Sequence, residues 1–130
     1  MSDNDREARA GRQAVRHWLE DMCTAVRDIE REAADALHDK EDETAYREAM
    51  RRKALLLASL PDRGRDAVSL LPPQDRTPVE ERLHRFAASA ANALSIGSVF
   101  YMSALLYPED HAPGQPNDLE RFAASFTEPA

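Results

Sequence analysis

Cysteine occurs once in this chain, at Cys23, so neither an internal disulfide nor a cysteine ligand set is available. Glycine occurs four times and never as a cluster, which excludes a glycine-rich phosphate loop. Aromatic residues make up 6% of the chain, and its β-branched residues are too scattered to give alternating apolar and polar runs, so strands are not expected. The first residues, MSDNDREARAGR, contain no apolar leader segment, and the expected compartment is the cytoplasm. Charge is absent from Phe86 to Tyr107, although charged residues form 32% of the whole.

What remains is rich in alanine, leucine and arginine, and its 130 residues are enough for one domain with a real core. The expected fold is all-α: an antiparallel four-helix-type bundle with a short third helix and an appended C-terminal helix, one domain over residues 1–130. Val15, Trp18, Leu19, Met22, Ala25, Val26, Ile29, Ala33, Ala36 and Leu37 recur at three- and four-residue steps, which predicts a long first helix over about 5–38. The apolar-free run His38–Thr44 predicts a turn, so the second helix (about 43–60) should lie antiparallel to the first. Its inward residues are expected to be Ala45, Tyr46, Ala49, Met50, Leu56, Leu57 and Leu60. Pro61 should end it, and Pro72-Pro73 should end a third helix over 62–71. Thr77-Pro78-Val79-Glu80 spells a capping box with proline at the first helical position, so a fourth helix is expected over 78–107, stopped by Pro108. After a linker over 108–116, Asn117 and Glu120 cap a C-terminal helix over 117–126, and the tail beyond it is expected to fray.

The charge-free segment decides between a bundle and a membrane. At 22 residues it is long enough to span a bilayer. Asn92 and four serines dilute its hydrophobicity, however, and the amphipathic stripes of the other helices need a partner. It is therefore expected to be the central helix around which the others pack. Asn92 would then be a buried amide, costing about 1–3 kcal/mol unless hydrogen-bonded. A homodimer that pairs Asn92 across its axis is one way to satisfy it.

Net charge is −7 and uneven: residues 1–43 hold 7 basic and 13 acidic side chains, 44–85 hold 9 and 6, and 86–130 hold 1 and 5. The acidic balance argues against nucleic acid as a partner. The basic patch Arg47, Arg51, Arg52 and Lys53 should meet the acidic end of the first helix, Asp28 to Glu43.

Four constellations touch on chemistry. Glu81 and His84 have the Glu-x-x-His spacing of di-metal bundles, and Asp35 and His38 form a similar pair. About one such spacing is expected by chance from 24 acids and 4 histidines, so no metal and no cofactor is assigned. Arg12 and His17 are similar in spacing to the Arg-x(4–6)-His element of helical HEPN-type ribonucleases. That resemblance covers a turn and a half of helix, and it implies His17 as general base with Arg12 on the scissile phosphate. Leu119, Phe122 and Phe126 lie on one face of the C-terminal helix and suit either a groove in a partner protein or the chain's own bundle. Finally, Leu83–Ser89 and Leu119–Ser125 match at six of seven positions, too short an echo for a repeat protein.

No motif specifies a reaction. The expectation is a small non-catalytic helical interaction protein (adaptor, regulator or chaperone-like) that binds a protein partner, with Asn92, Leu119, Phe122 and Phe126 as contact candidates. The alternative is a helical hydrolase or ribonuclease with its site near His17 or His84, and a third is an accessory protein anchored in a membrane through 86–107.

Overall fold

A computed structural model describes residues 3–126, and the frayed tail expected after Phe126 lies outside them. The fold is all-helical, and the described residues contain no strand. In chain order the elements are α1 (Asp3–His38), α2 (Glu43–Ala58), α3 (Leu60–Arg63), α4 (Arg65–Val68), α5 (Pro73–Ile96), α6 (Val99–Ala104) and α7 (Asp118–Ala124).

The long first helix forms because its apolar stripe holds over many turns. Val15, Leu19 and Val26 are fully buried, and of the ten stripe residues only Leu37 is exposed. After the polar turn, Asp42 caps α2 by accepting from the Ala45 N–H at 3.0 Å. Contacts such as Arg52 with Glu32 make α1 and α2 antiparallel. The main core joins Leu19, Val26, Leu57, Leu60, Leu71, Leu83 and Leu119. A second, smaller core at the turn end uses Ala33, Ala49, Ala54 and Ala93 with Met50 and Met102, small side chains that let four helices approach closely.

Three boundaries differ from expectation. The third helix is two single turns joined at Gly64, and Pro61 sits inside the first turn of α3, where its missing N–H costs nothing. The fourth helix begins at Pro73, not Pro78: Pro72 is extended, Pro73 opens the helix, and Pro78 lies within it. Arg76 holds this entry by donating from Nε to the Leu71 carbonyl at 2.8 Å and from Nη2 to the Ser69 carbonyl at 2.9 Å. The capping-box signal at Thr77 is thus overridden by an equally preorganised proline upstream.

The third difference is the largest, because the charge-free segment is not one helix. Gly97 adopts a left-handed conformation (φ 73°) that a side chain would strain. The Ser98 N–H reaches the Ala93 carbonyl at 3.3 Å and the Gly97 N–H reaches the Leu94 carbonyl at 3.1 Å, a Schellman stop. Ser98 at once caps α6 by accepting from the Tyr101 N–H at 3.1 Å.

Nor is the segment buried all round. Helix α5 buries Val79, Leu83, Ala90 and Ala93 along one side, while Ala88, Ala91, Asn92, Ser95 and Ile96 are exposed along the other. The expected burial of Asn92 is therefore corrected. Alanine and serine bury little apolar area and lose little by facing water, so an uncharged helix need not be a hidden one. Helix α5 meets α2, α3, α4 and α6, while α2 meets α1, α3, α5 and α6 and α1 meets α2, α4 and α7, so the packing is shared among the three long helices. No helix among the described residues is long and apolar enough to cross a membrane, so the expectation of a span over 86–107 does not hold.

Close approach also fixes Gly11. A Cβ there would collide with the Leu70 carbonyl oxygen and lie 2.9 Å from the carbon behind it. Since that obstacle is backbone, it cannot swing aside. Gly11→Ala should destabilise the fold by about 1–3 kcal/mol, the usual cost of overpacking, despite alanine's better helix propensity. Urea unfolding followed by circular dichroism measures this, and an unchanged midpoint would contradict the packing described.

Candidate functional site

Two parts of the molecule stand out, one inside and one at the surface. Inside, position 53 continues the stripe Met50–Lys53–Leu57, so the helix carries a lysine into the core. Lys53 is 0% exposed. Its Nζ lies 3.1 Å from Glu30 Oε2 on α1 and donates to the Ser103 carbonyl on α6 at 3.0 Å. It also sits 5.0 Å from the centre of the Tyr107 ring, a cation–π contact. The Tyr107 hydroxyl donates to Glu30 at 2.7 Å and accepts from Arg27 Nη1 at 3.1 Å. Arg27 then grips Glu120 on α7 with two bonds, 3.0 Å from Nε and 2.6 Å from Nη2. Glu120 closes the chain of contacts as one half of the Asn117 capping box.

The charges respond to this setting. Burial lowers the affinity of Lys53 for its proton, and Glu30 opposes that shift. Burial first, and then the bond to Glu30, pushes the Tyr107 hydroxyl up to about 12. Asn117 pulls weakly the other way, although its buried Nδ2 completes no hydrogen bond of ordinary geometry. The Arg27 bond holds the Glu120 carboxyl below its usual range. Burial pushes the Cys23 thiol up to about 11, helped by Glu120 and Glu20, which makes it an inert thiol rather than a nucleophile. The network joins α1, α2, α6 and α7 and presents no opening at Lys53, so its role is to position helices.

The surface feature is the set of large apolar residues left exposed at the end of α5 and on α6. Ile96 is 57% exposed, Phe100 74% and Tyr101 52%. The Phe100 and Tyr101 rings meet edge to face at 5.7 Å, and no core residue covers them. From Ala88 to Tyr101 this face has no charge.

The residues singled out from sequence fall in different places. His17 is exposed, while Arg12 leans over the Phe126 ring at 5.2 Å and reaches the Ser125 carbonyl. Five residues of helix set them roughly 140° apart, so the ribonuclease-like spacing does not bring the two together. Glu81, His84, Asp35 and His38 are all exposed. Among the described residues no group of three or more His, Cys, Asp or Glu is arranged to hold a metal.

His84 does line a cleft of about 380 Å³ together with Pro61, Arg65, Val68, Arg76 and Glu80. Arg65 is paired with Asp62 at 2.7 Å, and Arg76 is bonded to two backbone carbonyls, so both guanidinium groups are already engaged. Leu119 and Phe126 are buried and Phe122 is half-buried, so α7 completes its own bundle and does not project as a free ligand helix. The basic patch divides: Arg52 pairs with Glu32 at 2.9 Å as expected, while Lys53 disappears into the core.

Compared with protein-family models, with curated proteins and with solved structures, the chain matches none.

Removing one member of the buried pair should be costly. Glu30→Ala leaves Lys53 charged and uncompensated, and about 3–5 kcal/mol of stability should be lost. The double variant Lys53→Met, Glu30→Gln should recover most of that loss. Chemical denaturation of the three proteins measures it, and a double variant no more stable than Glu30→Ala would contradict the coupling.

Alkaline stability follows from the same groups. Cys23 and Tyr107 hold their protons more tightly folded than unfolded. Their contributions are complete below the unfolded values of 9.0 and 10.0 and are lost as pH rises to about 11 and about 12. Lys53 acts with the opposite sign up to its unfolded value of 10.5. Thermal unfolding from pH 8 to 11 should therefore show a decline that Cys23→Ala makes shallower. Parallel curves for the two proteins would refute that assignment.

Proposed function

We propose that this chain is a small non-catalytic interaction protein, acting as an adaptor, regulator or chaperone-like factor through the uncharged face of α5 and α6. The carrying observation is the exposure of Ile96, Phe100 and Tyr101 within six residues of one another in the charge-free segment. Large apolar groups left uncovered in this way lose apolar contact to water, and covering them by a partner recovers it. Aromatic residues are also the usual anchors of protein interfaces. The inert Cys23 and the fully enclosed Lys53 are consistent with a scaffold rather than a reaction centre.

A second reading, a helical hydrolase or ribonuclease, draws on one observation: His84 lines a cleft that also holds Arg65 and Arg76. Among the described residues no hydrogen bond or ion pair gives His84 a partner that would orient it as a general base. The interaction reading therefore has the better support.

The test compares affinity capture from native lysate by the natural chain and by the double variant Phe100→Ser, Tyr101→Ser. Both side chains are exposed, so the variant should keep its melting temperature within about 2 °C, as surface changes do. The natural chain should capture a protein, untagged copies of itself included, that the variant fails to capture. Identical captured sets would count against this face as the binding surface.

A further inference from the structure

We infer that residues 108–126, the loop after Tyr107 together with α7, form a strap that opens as a unit while α1 to α6 stay folded, and that opening uncovers the apolar seat around Cys23. This device is separate from the exposed residues of α6 and needs no partner there.

The strap is tied to itself more than to the bundle. Residues 108–116 are exposed apart from a half-buried His111, whose ring touches Tyr107 at the fixed end. Among the described residues, the hydrogen bonds of this loop stay within the strap. The His111 N–H donates to the Pro108 carbonyl and the Gln115 N–H to the Ala112 carbonyl, the His111 ring meets the Gln115 carbonyl, and Arg121 reaches back to Pro116 and Gln115. Helix α7 packs its backbone against α1 and against no other helix. Only side chains reach across to α5, where Phe122 meets Phe86 at 6.0 Å.

The fixed side is complete without the strap. Lys53 keeps Glu30, the Ser103 carbonyl and the Tyr107 ring, which all precede it. Arg27 loses Glu120 but keeps the Tyr107 hydroxyl at 3.1 Å and Glu30 at 3.7 Å. Arg82 stays over Phe86, and the smaller core contains no strap residue. Opening therefore strands no buried charge, the usual obstacle to lifting a helix from an ionic network.

Closure carries a cost at each end of the loop. Leu106 is left-handed (φ 77°), a conformation that a branched side chain takes only when the surroundings hold it, and its carbonyl is held by the Asp118 N–H at 3.0 Å. Asn117 is 1% exposed, and its Nδ2 completes no hydrogen bond of ordinary geometry. Such a donor is costly when buried and is satisfied by water once the strap lifts. Against these costs stand Leu119 and Phe126, both buried, and the two bonds from Arg27 to Glu120. The closed form therefore dominates, and the open one is a minor state reached by local opening. Cys23 reports it. This one cysteine of the chain is buried, and it lines a cleft with Glu120, Ala123 and Ala124, so lifting the strap removes a wall beside it.

The test is iodoacetamide labelling of Cys23 in increasing urea, read by mass spectrometry beside unfolding followed by circular dichroism. At low urea, labelling should be far slower than in the unfolded chain and only weakly dependent on urea, because a local opening exposes little surface. Nearer the transition it should take on the steep dependence of global unfolding. Glu120→Gln keeps an acceptor for the helix cap but removes the charge that holds Arg27, and should speed native labelling by at least about tenfold. Ala49→Gly, in the smaller core, should lower the unfolding midpoint and leave native labelling unchanged. Labelling that follows global unfolding at every urea concentration, or that Ala49→Gly accelerates, would overturn the proposal. So would labelling at the rate of the unfolded chain that ignores Glu120→Gln, because the thiol would then be reached through the cleft as it stands.

Discussion

A cation with no access to water has to be answered by the protein around it, and the rest of this fold is arranged around answering Lys53. Burying an ammonium group is worth the cost only if its charge and its three donors find partners. Glu30 on α1 and, from one stretch at the end of α6, the Ser103 carbonyl and the Tyr107 ring provide them. The requirement spreads outward: Glu30 must be held, so Tyr107 bonds to it, and Arg27 ties Tyr107 to Glu120 on α7. One buried charge thereby sets the register of α1, α2, α6 and α7 together.

With the helices registered, the outer side of α5 and α6 is left over. Its uncharged face is a product of two local choices. Alanine and serine occupy the exposed side of α5, where other helices of this chain place arginine and glutamate. Gly97 then stops α5 and turns the chain so that Phe100 and Tyr101 stand outward on α6 while Met102 turns inward.

Much of the architecture was legible in the residues. The stripe from Val15 to Ala36, the polar turn, the inward residues of α2 and the capping box at Asn117 all follow from periodicity and cap chemistry, and the structure has them. The errors have physical causes. Counting alanine and serine as core residues buried the charge-free segment on every side, although neither gains much from burial and one side of α5 faces water. The Gly97-Ser98 pair is a stop followed by a cap, a signal present in the sequence but hidden inside an apolar run. Pro73 and Pro78 are equally good helix openers, and only the tertiary bonds of Arg76 decide between them. Lys53 was grouped with its arginine neighbours by charge, while its three- and four-residue spacing from Met50 and Leu57 already placed it on the buried side. The surface candidate was the least legible part, because exposure of Phe100 depends on a corner that periodicity cannot see.

The short echo within the chain has a consequence for how the molecule assembles. Its two copies do not pack on equivalent surfaces. Leu83 and Leu119 both enter the main core, Phe86 and Phe122 meet each other at 6.0 Å, and the Arg82 guanidinium lies over both rings. Leu119 and Phe122 of this cluster belong to α7. Until α7 arrives, Phe86 lacks its matching ring, and Arg27 lacks a carboxylate 93 residues further along. Contacts of such separation carry a large loop-closure cost and tend to form late. The bundle of α1, α2 and α5 therefore has to gather first with an open seam, and the final seven-residue helix closes it. Docking of α7 should therefore be a late step of folding, with the repeated Leu-x-Arg-Phe segment as the clasp.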